Sequence, residues 1–113
     1  MLIIFIVEKN IRYYDSMNGG GDHFLDAARR WVVDEGRVKK NITIDPEDWT
    51  LVSRQAHVPQ QGNGFDCGVF SCMCADYISD DLPLQCYSQD VMPLMRKKMA
   101  AAILRGSLDY SQE

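Results

Sequence analysis

A chain of 113 residues holds at most one domain, or a piece of one. Its hydrophobic content of 46% is that of a globular chain and argues against intrinsic disorder. A formal net charge of -4 and a pI near 5.1 argue against nucleic acid as the main partner.

The chain opens on Leu2 to Val7, an apolar run read as a buried strand. It is too short for a signal-peptide core, and charged residues follow it rather than a small-residue cleavage site. Neither this run nor any other reaches membrane-spanning length. Without a signal peptide, the four cysteines read as reduced thiols of an intracellular protein, nuclear or cytoplasmic. A wholly apolar strand normally lies inside a sheet with neighbours on both sides.

Glu8-Lys9-Asn10 is a polar turn, and Ile11 to Tyr14 is the returning strand of a hairpin. Asp15-Ser16 leads into the flexible loop Asn18-Gly19-Gly20-Gly21. Asp22 is placed to cap a helix from about Phe24 to Glu35, with Gly36 as its stop signal. The apolar stripe of that helix is Phe24, Ala28, Trp31 and Val32, and Trp31 reads as core. Thr50 to Ser53 is a short strand. A last helix spans roughly Asp90 to Arg105, with Val91, Met95, Met99 and Ile103 on one stripe. Pro93 is tolerated in its first turn, and Gly106 ends it.

Between these elements lies the most informative stretch, Pro59-Gln60-Gln61-Gly62-Asn63-Gly64-Phe65-Asp66-Cys67-Gly68. It is a turn-rich polar loop that delivers one cysteine to the start of an apolar, helix-patterned run, Val69 to Ile78. Unpaired backbone N–H groups and the positive end of a helix both favour thiolate over thiol there. Gln61, upstream in the loop, can bring an amide donor back over the same spot. A thiolate nucleophile with a fixed N–H donor is the core of acyl-transfer chemistry. Cys72 and Cys74 lie further into the helix, where burial is expected to keep them as thiols. Cys67, Cys72, Cys74 and Cys86 lack the paired Cys-x-x-Cys spacing of structural zinc sites.

Several motifs together resemble the SUMO-specific (sentrin-specific) proteases, the ubiquitin-like-protein-processing cysteine peptidases. They are Tyr13-Tyr14-Asp15-Ser16-Met17, Pro59-Gln60-Gln61 with Asn63-Gly64, Asp66-Cys67-Gly68-Val69-Phe70, Ala75-Asp76, and Met92-Pro93 followed by Arg96-Lys97-Lys98-Met99. The resemblance runs from about Ile11 to Leu104. It implies an α+β, papain-like fold, of which this chain is the C-terminal half. Residues 1–106 are then part of the catalytic domain and 107–113 a polar tail.

The resemblance also implies roles. Cys67 matches the nucleophile, Asp15 the carboxylate that orients the catalytic histidine, and Gln61 the side-chain donor of the oxyanion hole. The implied reaction is hydrolysis after the Gly-Gly end of a SUMO-type modifier, in precursor maturation and in removal from conjugates. SUMO and its conjugates are the implied partners, with no nucleic acid, no membrane, and no metal or organic cofactor. The family's histidine, in a His-Trp pair on the strand leading into the aspartate's hairpin, matches a position ahead of Met1. His23 and His57, the two histidines present, do not match it. A Cys–Asp–Gln set without that histidine lacks the base that activates the thiol and the acid that protonates the leaving amine. The chain alone is therefore expected to be inactive. The alternative is a catalytically dead homologue that binds SUMO or regulates.

Overall fold

The structure, a computed structural model, describes residues 1–108. It divides into two compact units, Met1–Val58 and the chain from Pro59 onward. Of the polar tail expected at 107–113, the part from residue 109 lies outside the described residues.

The first unit is a three-stranded sheet covered by a helix. Strand β1 (Leu2–Phe5) pairs antiparallel with β2 (Asn10–Tyr13), with Ile4 opposite Ile11. Strand β3 (Thr50–Val52) pairs parallel with β2, with Leu51 beside Ile11. A parallel neighbour requires a crossover, and helix α1 (Asp22–Lys40) lies within it. Leu2, Ile4, Ile11, Tyr13 and Leu51 alternate along their strands and pack with Leu25, Ala28 and Val32 of the helix. Period two on the strands meets helical spacing on α1.

The sheet corrects one expectation. The opening strand is half-buried, not buried, and stops at Phe5. It sits at the edge of the sheet, and β2 takes the centre. Pairing Phe5 with Asn10 leaves Ile6 to Lys9 for the turn, with Lys9 left-handed at φ 53°. Ile6 and Val7 are consequently exposed.

Helix α1 also departs from the reading at three points. Its N-cap is Gly21, whose carbonyl accepts from the Leu25 N–H at 2.9 Å, and Asp22 lies inside the first turn. Gly36 is not the stop but a buried interior residue. A Cβ there would stand 2.4 Å from Ile44 Cδ1, so the glycine lets the returning chain close on the helix. The helix ends at Asn41 instead, left-handed at φ 52°. Its buried phase is Leu25, Val32 and Gly36, and Trp31 is about half exposed rather than core.

In the second unit, a loop from Pro59 feeds helix α2 (Cys67–Ser79). Two 3-10 turns, Leu84–Cys86 and Gln89–Val91, then lead into helix α3 (Met92–Arg105). Val69, Phe70 and Met73 of α2 pack with Tyr87 and Met92, and Val91, Met95 and Met99 close over them. Tyr87 meets Tyr77 edge-on at 4.9 Å between ring centroids. The expected methionine stripe is thus core, except that Ile103 is exposed. Pro93 falls in the first turn of α3, and Gly106 caps it left-handed at φ 71°.

Space rather than conformation fixes Gly21. Its φ of -113° suits any residue, but a Cβ would lie 2.2 Å from Tyr13 Cγ. The Tyr13 ring is in turn stacked on Phe24, with centroids 5.9 Å apart. A Gly21→Ala substitution must displace that ring. It is expected to destabilise the first unit by about 1–3 kcal/mol, the usual range for overpacking, read as a lower urea midpoint.

Candidate active site

Asp15 follows β2 in the first unit and is half-buried. Its Oδ1 accepts from the Met17 N–H at 2.8 Å and its Oδ2 from the Gly19 N–H at 3.0 Å. The side chain thus organises its own turn, as aspartate does after strands. Asn18 takes the left-handed conformation, φ 60°, that brings Gly19 back to the carboxylate. Gly19 is there for close approach: a Cβ would lie 2.3 Å from Asp15 Oδ2. Two further bonds tie the loop to the end of β3. Gly21 N–H donates to Ser53 Oγ at 2.9 Å, and an Arg54 guanidinium N–H donates to the Asn18 carbonyl at 2.8 Å.

Gln61 and Cys67 stand at the two ends of one turn in the second unit. Cys67 is the first residue of α2 and is exposed. Gln61 is half-buried, and its Nε2 donates to the Asn63 carbonyl at 2.5 Å. Asn63 shapes the turn: its Oδ1 accepts from the N–H groups of Phe65 at 3.1 Å and Asp66 at 3.0 Å. Those bonds bring the chain round to the helix, whose first backbone bond runs from Phe70 N–H to the Asp66 carbonyl at 3.0 Å.

Asp66, just before the cysteine, is only 3% exposed. An aspartate at this position ordinarily caps its own helix, but this one makes no side-chain cap bond. Its Oδ2 accepts from Asn63 Nδ2 and Gln89 Nε2, both at 2.8 Å. Its Oδ1 accepts from Arg96 Nε at 2.7 Å. Arg96 also donates to the Phe65 carbonyl at 2.8 Å. The bonds from Asn63 and Gln89, aided by the Arg96 charge, hold the Asp66 carboxyl below its ordinary value of 3.8. Sequence reasoning saw Asp66 and Arg96 only as parts of separate motifs and missed Gln89. A charge held this close to the core needs partners, but these come from 23 and 30 residues away.

The remaining titratable candidates are divided between the two units. His23 is in the first turn of α1, edge-on to Phe24 at 5.8 Å. His57 is exposed in a left-handed conformation at φ 64°. Cys72, expected to be buried, is exposed; the buried residues of α2 are Val69, Phe70, Met73 and Cys74. Cys74 is buried, and desolvation pushes its thiol pKa up, partly countered by a hydrogen bond with Tyr87.

A cysteine at a helix start, joined by one tight turn to a carboxamide, could serve thiol acyl transfer. Comparison with known proteins sharpens that reading. The model of the Ulp1 protease family, C-terminal catalytic domain, matches residues 1–108. Sentrin-specific protease 2 of Pongo abelii is 40% identical over 109 residues, covering 96% of this chain and 18% of that protein. Ubiquitin-like-specific protease 1A of Arabidopsis thaliana is 38% identical over 105 residues, covering 93% of this chain and 20% of that protein. Among solved structures, the C-terminal Ulp1 protease domain, determined in complex with Smt3, the yeast ortholog of SUMO, is similar with a TM-score of 0.77 and 32% identity. The match covers 92% of this chain and 45% of that one. The chain belongs to the Ulp1 protease family and has its α+β fold in part. It spans about a fifth of the two full-length relatives.

Two expected outcomes follow from this geometry. Under limiting iodoacetamide, Cys74 should be alkylated far more slowly than Cys67, because burial disfavours its thiolate; mass spectrometry of the labelled peptides checks this. The second concerns acid. Asp66 has a lower pKa folded than unfolded, so between the two values the unfolded chain holds more protons. The contribution is complete above the unfolded value and is lost as pH falls through the folded one. Asp66→Asn should flatten the loss of stability as pH falls below about 4, measured as urea midpoints against pH.

Proposed function

We propose that this chain carries the nucleophile, oxyanion donor and orienting carboxylate of a cysteine protease acting on SUMO-type modifiers, in maturation and desumoylation. Cys67 is the nucleophile, Gln61 the oxyanion donor, and Asp15 the group that orients the base. The observation that carries the reading is the exposed thiol at the first position of α2, on the same turn as Gln61. Family membership and the Smt3 complex of the similar Ulp1 domain support the substrate class.

The chemistry assigns each group a task. The Cys67 thiolate attacks the carbonyl carbon at the modifier's C-terminal glycine. Negative charge collects on the carbonyl oxygen, where a Gln61 N–H and the first N–H groups of α2 can donate. The leaving lysine amine then needs a proton, which an imidazole supplies; Asp15 would accept that imidazole's other N–H and stabilise its cation. Neither His23 nor His57 stands in the family motif.

The test is hydrolysis of a fluorogenic SUMO C-terminal substrate. Residues 1–113 alone are expected to release no product above background. Joined behind the part of the yeast Ulp1 domain that the chain does not cover, they should turn the substrate over. In that protein, Gln61→Ala should lower the rate about 10²–10³-fold, the typical effect of one oxyanion donor. Asp15→Asn should lower it strongly with the fold intact. Turnover that survives Cys67→Ser would overturn the assignment.

A further inference from the structure

We propose that Gln89 is a positioning residue that sets the oxyanion donor against the nucleophile; this rests on the roles given above to Gln61 and Cys67. Its carboxamide spans the mouth of the turn. Oε1 accepts from the Gly62 N–H at 2.7 Å, and Nε2 donates to Asp66 Oδ2 at 2.8 Å. Gly62 directly follows Gln61, and Asp66 directly precedes Cys67. One side-chain amide thus connects the arm that carries the donor to the arm that carries the thiol.

The bridge has a fixed polarity. It needs an acceptor toward a backbone N–H and a donor toward a carboxylate, and a carboxamide supplies one of each. Glutamate would set its carboxylate against Asp66, and leucine would offer neither group. Gln89 is itself firmly based. It opens the 3-10 turn that runs into α3, and Met92, three residues on, is fully buried in the core with Val69, Phe70 and Met73 of α2. The helix that carries Cys67 and the residue that reaches back to Gly62 therefore share one packed core. Arg96 holds the same carboxylate from one turn into α3, but it reaches only the nucleophile's arm, through Asp66 and Phe65. Gln89 bonds to both arms.

A placement error of about 1 Å can cost two orders of magnitude in rate, so a bridge across the mouth of the turn acts on catalysis without touching substrate. The probe that reads this in the chain itself is 4-nitrophenyl acetate. The Cys67 thiolate attacks the acetyl carbonyl, the tetrahedral oxyanion collapses, 4-nitrophenolate leaves with the electron pair, and S-acetyl Cys67 remains. Nitrophenolate needs no proton to depart, so the step uses thiolate and oxyanion donor without a histidine. Iodoacetamide is the control, because displacement of iodide forms no oxyanion.

The measurement uses residues 1–113 with Cys72→Ser and Cys86→Ser, which removes the other two exposed thiols. Gln61→Ala, Gln89→Leu and Gln89→Glu should each slow acylation of Cys67 about 10²-fold while its alkylation by iodoacetamide stays within twofold. The double variant Gln61→Ala/Gln89→Leu should be no slower than Gln61→Ala, since Gln89 acts through Gln61. Losses that multiply, or that strike both reagents equally, overturn the proposal. So does normal acylation in both Gln89 variants. Rapid labelling of the buried Cys74 in both would show unfolding, and would make Gln89 a stability residue instead. Unchanged acylation in Gln61→Ala overturns the oxyanion assignment itself, whatever Gln89 does.

Discussion

The carboxylate of Asp66 is nearly removed from water, yet it remains ionised because Asn63, Gln89 and Arg96 all donate to it. Everything about the thiol's setting depends on that arrangement. The three donors come from the turn itself, from the approach to α3 and from α3. The turn before Cys67 is therefore anchored by the helix that also closes the core over α2. Because Asp66 gives both oxygens to these partners, it leaves the first N–H groups of its own helix to other acceptors. In an acyl-transfer site that is the useful outcome, since those N–H groups and the helix dipole can face a developing negative charge. A capping aspartate would have neutralised them.

The other carboxylate of interest is held differently. Asp15 accepts from backbone N–H groups within its own turn, at 2.8 and 3.0 Å. Glycines make this possible through close approach: Gly19 admits the carboxylate, and Gly21 admits the Tyr13 ring. Asp66 takes two of its donors from 23 and 30 residues away, whereas these two backbone donors of Asp15 lie within four residues of it.

Much of this was legible in the sequence, and the failures share a cause. The hairpin, β3, the start of α2 and the proline-to-glycine limits of α3 follow from local chemistry, and local chemistry is what a single sequence carries. The turn around Cys67 was legible for the same reason, because glycine, asparagine and aspartate announce it. Gly36 was misread because a glycine that ends a helix and one that admits a neighbour look alike in sequence; Ile44, which decides between them, lies beyond the helix. That glycine also hid the buried phase, since Leu25, Val32 and Gly36 count as only two apolar residues. The Phe24, Ala28, Trp31 and Val32 pattern looked stronger and left two large side chains outside the core. Asp66 read only as part of the cysteine motif because two of its partners, Gln89 and Arg96, are distant in sequence.

The site residues also separate two requirements that a histidine normally meets together. Generating a nucleophile needs only some thiolate, which an exposed cysteine at a helix start can furnish by itself as pH rises. Expelling an amine needs a proton delivered to nitrogen, and no arrangement of N–H donors around an oxyanion can supply it. Residues of the Cys67 turn can therefore favour acyl transfer from esters with good leaving groups while leaving isopeptide bonds untouched. On this reading the specificity for an amide bond belongs to the base, and the placement of the reacting carbonyl belongs to the turn. On the roles proposed above, a chain that holds the turn in order, through Asp66 and the segments that bind it, would keep the placement of the carbonyl and still depend on a base to cleave an amide.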